Sequence, residues 1–330
     1  MDIRDRRALK DDAAQALARG RDPKKLILAY AGASTLIALV VTLLDYWLEQ
    51  QISDTGGLRN LGTRSILSTI QTVLPLLQSF ALLCMDYGYL SAVLRISRRQ
   101  YADHTDMKNG LGRIGPIIRL LLLQGLLYLA VGMVSYNIGM LVFLLSPLSD
   151  SFAQVVLPYI SDAGIDVNGL LDEAVLAQMT TTLIPMLVIV AAVFLVLALP
   201  LAYRFRMAGY RLMDEPRTGA FAALRESRAM MKGKRFQLFR LDLSFWWYYL
   251  LTALTMALCY GDWILEVLNV TLPINATAAF FLFYFLYLAA NFAVTYCFRN
   301  RVALTYAAAY NTLRPKPQDN GVVLGNIFDM

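Results

Sequence analysis

Long apolar runs separated by charged segments decide most of what this chain can become. They lie at roughly Leu26–Leu48, Ile66–Leu94, Ile117–Leu145, Thr182–Tyr203, Leu243–Val267 and Ala276–Cys297. Each is about the 20 residues that a helix needs to cross the hydrocarbon of a bilayer. Backbone amides in hydrocarbon must be satisfied within the segment, which leaves the α-helix as the spanning element for runs of this kind. The expected fold class is therefore all-α, a polytopic membrane protein of six transmembrane helices. The bulk numbers agree: 58% of the 330 residues are hydrophobic and 16% charged, with mean hydropathy +0.51. Soluble domains run nearer about 25% charged.

The cations set the orientation. Of 30 Lys and Arg, all but Arg59 and Arg64 fall in residues 1–25, 95–119, 204–240 and the segment from 299 onward. Cytoplasmic loops carry the Lys/Arg excess, so both termini are expected in the cytoplasm. The connection 146–180 has no Lys or Arg and carries Asp150, Asp162, Asp166, Asp172 and Glu173, as an outer cap would. The tryptophans fit this scheme, with Trp47 and Trp263 at outer ends and Trp246 and Trp247 at an inner end. Trp247 and Trp263 are about 24 Å apart along a helix, close to the hydrocarbon thickness that aromatic belts bracket.

The expected organisation is a charged N-terminal arm (1–25), a six-helix transmembrane domain (26–298) and a cytoplasmic tail (299–330). Ala13, Ala14, Leu17 and Ala18 give the arm a weak helical stripe suited to a membrane surface. The charge of +6 sits on the membrane-adjacent loops, so it speaks for the bilayer and not for nucleic acid.

The most distinctive segment is 204–240, with ten Lys and Arg. The expectation is an amphipathic surface helix between the fourth and fifth spans. Asp214 or Thr218 would cap its start and Gly233 would stop it. Phe221, Leu224 and Met231 would supply an apolar face. Arg225, Arg228, Lys232, Lys234 and Arg235 would supply charge for anionic headgroups.

Four acidic residues lie in or at the ends of spans: Asp86, Asp242, Asp262 and Glu266. An ionisable group within a membrane span is a functional candidate by default. Asp86, however, is only nine residues from Arg95, so pairing with a basic residue near the interface is the plainer reading. Asp45, Asp262 and Glu266 share the outer side, yet no ligand spacing demands a metal. Gly125, Gly132 and Gly139 repeat every seven residues on one face, which suggests close helix packing. Gly110, Gly112 and Gly115 match a dinucleotide fingerprint but lack the strand and βαβ unit that give it meaning. Cys84, Cys259 and Cys297 lie in apolar runs without metal or disulfide spacing. No histidine lies within a span to serve a buried nucleophile, and His104 sits in a polar loop between aspartates. No catalytic set and no cofactor site is expected.

Residues Ala222 to Leu224, Ser227-Arg228, Met231 to Lys234, Leu238-Phe239 and Leu241 to Trp246 resemble a bacterial membrane-protein family catalogued as a domain of unknown function, family 975. Tyr210, Asp214 to Pro216, Gly88-Tyr89 and the basic 94–99 stretch add to the likeness. Where members of that family often carry Pro-Tyr after the fifth span, this chain has Leu272-Pro273-Ile274. The resemblance implies a bacterial cytoplasmic-membrane protein and no activity.

The leading expectation is a non-catalytic membrane protein that engages the anionic phospholipid bilayer, or a membrane protein partner, through 204–240. The alternatives are a transporter or permease for a small or amphiphilic solute, turning on Asp86, and third a lipid-modifying membrane enzyme.

Overall fold

The computed structural model describes residues 5–19, 23–54, 61–161, 164–165, 173–268, 270 and 273–314. Among them the chain is helical, apart from a two-residue antiparallel pair, β1 (Ile160–Ser161) and β2 (Gly164–Ile165). Five helical stretches are long and apolar enough to cross a membrane. They are Pro23–Asp54, Gly62–Ser97, His104–Leu144, Gln178–Asp214 and Ala276–Leu313.

The helices are α1 (Arg6–Arg19), α2 (Pro23–Asp54), α3 (Leu61–Ser97), α4 (Ile114–Leu144), α5 (Leu148–Val156) and α6 (Glu173–Phe205). Then come α7 (Ala208–Asp214), α8 (Ala220–Met230), α9 (Arg235–Leu243), α10 (Trp246–Cys259), α11 (Gly261–Val267), α12 (Ala276–Val294) and α13 (Asn300–Leu313). Two compact units result, one of residues 1–117 with 207–330 and the other of 118–206.

The apolar run 243–267 is not one unbroken helix. It breaks into α10 and α11 at Tyr260–Gly261, and neither piece alone has the length of a spanning helix. Gly261 lies so close to the Phe283 ring of α12 that a β-carbon there would enter the ring. The run therefore bends where it meets an aromatic-rich neighbour. Past this bend α12 opens on Asn275, whose side chain accepts the Ala278 N–H at 2.7 Å and so caps the helix.

Two terminal segments differ from the sequence reading. Residues 300–313 do not begin a polar tail. Val302, Leu304 and Thr305 to Tyr310 are all buried in α13, as expected for a stretch that is apolar on nearly every side. The arm helix α1 buries Leu9 and Ala13 completely and packs against α13 and α3. Of the stripe, Ala13 is thus committed to protein, while Leu17 is half-buried and Ala14 and Ala18 are exposed.

Glycine placement also sorts differently. A β-carbon at Gly139 would meet Val190 Cγ2 of α6 at 2.7 Å, whereas Gly125 and Gly132 have open space around them. The seven-residue repeat therefore serves helix contact at one position of three. The closest approaches lie elsewhere. Gly88 of α3 faces the main chain of Met107, and Gly110 faces that of Cys84, with no room for a side chain at either. These two glycines seat the turn His104–Asn109 against α3.

We expect Gly88→Leu to cost at least the roughly 1–3 kcal/mol of an overpacked core site. Gly132→Leu should change stability by less than about 0.5 kcal/mol, as for a substitution away from packed features. Thermal unfolding of the purified full chain measures both.

Candidate functional site

Three polar nodes tie helices together within the larger unit. The first surrounds Asp86. Its Oδ1 accepts hydrogen bonds from Tyr30 Oη of α2 and from an Arg299 guanidinium nitrogen. The guanidinium carbon of Arg299 lies 4.3 Å from the Tyr30 ring centroid and 5.3 Å from that of Tyr89, whose rings are themselves 4.8 Å apart. Each such cation–π contact is worth about 0.5–2 kcal/mol, more as water is excluded. Tyr89 Oη donates to Asn300 Oδ1, and Asn300 Nδ2 donates to the Pro23 carbonyl at 2.9 Å. Three helices distant in sequence thus close on one ion pair.

Arg299 reaches this position from a π-helical turn, Thr295–Arg299, that joins α12 to α13 without a break. A π turn inserts one residue into the helix and so rotates everything beyond it by about 100°. The node is shallow. Tyr30 is only seven residues past Pro23, about 10 Å along α2, which puts the pair near the end of the apolar run.

The second node centres on Asp214, whose side chain is 2% exposed. Arg98 and Arg314 pair with it, and Tyr310 Oη donates to it at 2.9 Å. Arg98 Nε also donates to Asn311 Oδ1 at 3.1 Å. Arg113 donates to the carbonyls of Leu212, Glu215 and Pro216, which closes the exit from α7. Asp214 is therefore not a helix cap for α8, and neither is Thr218. The N-cap is Gly219, without a side-chain bond.

At the third node Tyr306 Oη donates to Asp242, and the Tyr306 and Tyr249 hydroxyls lie 2.9 Å apart. Lys10 of α1 donates to the Ser244 carbonyl at 3.2 Å and sits 4.4 Å from the Phe245 ring centroid.

The amphipathic segment splits into the short helices α7, α8 and α9. Leu224 is 7% exposed and Met231 is fully buried, so both face the protein interior and cannot line a lipid-facing surface. Phe221 is 75% exposed, and Arg225, Arg228 and Lys232 are exposed with it. Spacings of four and three residues put Phe221, Arg225 and Arg228 on one outward stripe of α8, and Lys232 is exposed just past its end. Phe236 of α9 is 69% exposed, while Lys234 and Arg235 are half-buried. Gly233 carries the only positive φ of a described glycine, +74°, and turns the chain from α8 into α9.

Asp262 opens α11 and is half-buried, and the Glu266 side chain lies outside the described residues. Among the described residues no group of three or more His, Cys, Asp or Glu comes together as a metal site would require. Arg95 pairs with Asp106 at 2.6 Å and not with Asp86. Asp103 accepts the His104 backbone N–H, and this bond holds its carboxyl below the ordinary range.

The partners Tyr30, Tyr89, Arg299 and Asn300 were not singled out by the sequence reading. A usable signal existed, since a carboxylate inside a span needs a cation and Arg299 is the first charge beyond the last apolar run.

A family model described as protein of unknown function (DUF975) matches residues 22–297. No curated protein and no solved structure matches the chain.

Removing one member of the Asp86–Arg299 pair leaves the other without its counter-charge. We expect Asp86→Asn and Arg299→Gln each to destabilise the protein by about 1–3 kcal/mol. Their effects should fall short of additive by at least about 0.5 kcal/mol in a double-mutant cycle. Thermal or denaturant unfolding in detergent supplies the numbers.

Proposed function

We propose that this chain, which belongs to the DUF975 family of proteins of unknown function, is a non-catalytic, six-span protein of the bacterial cytoplasmic membrane. Its N- and C-terminal segments lie in the cytoplasm, and it engages anionic phospholipid through the outward face of α8. The observation that carries this reading is the exposed stripe Phe221, Arg225 and Arg228, with Lys232 just past its end. Aromatic and cationic side chains interleaved on one helical face suit the headgroup boundary of an anionic leaflet.

Several features support the orientation. Within the larger unit the cationic segments meet one another. α1 packs on α13, Arg98 joins α3 to α7 and α13, and Arg113 holds the 212–216 main chain. Segments that touch in this way share one side of a bilayer. Leu224 and Met231 contribute by anchoring α8, so the helix is presented as a fixed surface. The sixth crossing is assigned to α10 and α11 taken together, since 22 residues (246–267) extend about 33 Å as a helix.

Carriage of a solute past Asp86 has less support, because Asp86 is already committed to Arg299 and Tyr30.

A Phe221→Trp variant of the full chain, reconstituted in vesicles, tests the lipid contact. After subtraction of the parent emission, brominated phosphatidylglycerol should quench the new fluorophore more than brominated phosphatidylcholine does. Each basic residue contributes about 1 kcal/mol near an anionic surface, so adding Arg225→Gln, Arg228→Gln and Lys232→Gln should abolish the difference. Equal quenching by both lipids with the three cations present contradicts the reading.

A further inference from the structure

A second cationic feature lies away from α8. A cavity of about 620 Å³ opens between the last turn of α1, the first turn of α2 and the junction of the π turn with α13. That volume is in the range of sites that hold small organic ligands, about 300–1,000 Å³. Its wall divides by chemistry. Ile27 is buried at its side, and Tyr296 and Cys297, close to the end of the apolar run, are exposed toward it. Lys24 and Arg301 bring two cations, and among the described residues the lining includes no carboxylate. Neither cation forms an ion pair with a described residue.

Three further observations bear on what would fill such a space. Pro23 and Lys24 form the first turn of a 32-residue helix, whose dipole favours an anion at that end. Lys10 of α1 is pushed below its ordinary pKa by burial and by the nearby Arg301 and Arg6, so cations crowd this end of the unit. Lys24 stands two residues before the apolar run that begins at Leu26, so the cations sit at headgroup depth while Tyr296 and Cys297 border the hydrocarbon.

We propose that this cavity holds the phosphate headgroup of an anionic phospholipid drawn from the surrounding bilayer. Lys24 and Arg301 are its counter-charges, and the Ile27–Tyr296–Cys297 wall lies alongside the start of its acyl chain. The site is separate from the α8 stripe and does not depend on it.

Cys297 is a reporter already in place, since Cys84 is buried and Cys259 only half-exposed. The unaltered full chain would be reconstituted in phosphatidylcholine, with or without phosphatidylglycerol, and treated with an uncharged maleimide. Peptide mass spectrometry gives the rate at Cys297, with Cys259 as internal reference. Phosphatidylglycerol should slow Cys297 about threefold or more, as two-thirds occupancy of the site requires. Lys24→Gln with Arg301→Gln should restore the fast rate. Arg225→Gln, Arg228→Gln and Lys232→Gln together should leave protection intact, which separates this site from the α8 face. Equal rates in the two lipids overturn the proposal, as does protection that survives loss of both Lys24 and Arg301. Equal protection by inorganic phosphate added to phosphatidylcholine vesicles overturns the assignment to a lipid.

Discussion

A charge placed within reach of hydrocarbon must be matched by another, and the pairing of Arg299 with Asp86 meets that demand while joining α2, α3 and the α12–α13 helix. Much of the larger unit follows from it. Once Arg299 is turned toward Asp86, Asn300 is positioned to bond Tyr89 and the Pro23 carbonyl, and this fixes where α2 begins. α13 then continues along α3 and presents the apolar side that buries Leu9 and Ala13 of α1. The π turn is the local distortion that makes the pairing geometrically possible. Such turns recur at functional sites, and here one borders both the ion pair and a cation-lined cavity.

A related logic operates among the loops. The buried carboxylate Asp214 draws Arg98, Arg314 and the Tyr310 hydroxyl to one point, and Arg113 covers the carbonyls left at the end of α7. With α7 held in this way, α8 lies against it and turns Leu224 and Met231 inward. The cations of the same helix are left on the outer side with Phe221. An amphipathic helix has one apolar seam, and here the protein occupies that seam. What remains exposed is the flank, where Phe221 stands with Arg225 and Arg228, and Lys232 follows just past the helix.

The sequence made the spans and the distribution of charge legible, because hydrocarbon length and the exclusion of ions from it are properties of a single helix. Five of the six expected runs are helices of spanning length. The interruption of the fifth run, 243–267, is not legible in sequence, because the contact of Gly261 with Phe283 is tertiary and leaves no local trace. The same holds for the Asp86 partner, which lies 213 residues away while Arg95, the neighbour in sequence, pairs with Asp106. The helical stripe on α8 was legible as a period, but the period does not say whether lipid or protein covers it. Leu224 and Met231 were therefore assigned to the wrong neighbour. The burial of α13 was hidden for the opposite reason, since Arg299 and Arg301 at its start read as the edge of a tail when one of them is an internal ion-pair partner.

The central proposal is the orientation, with the cationic segments on the cytoplasmic face of the membrane and the acidic 146–180 connection on the other. Sidedness of two engineered cysteines tests it most directly. In sealed, right-side-out vesicles an impermeant maleimide should label Asp172→Cys from outside and reach Lys232→Cys only after permeabilisation, each compared with the parent chain. Labelling of both positions from the same side would contradict the account.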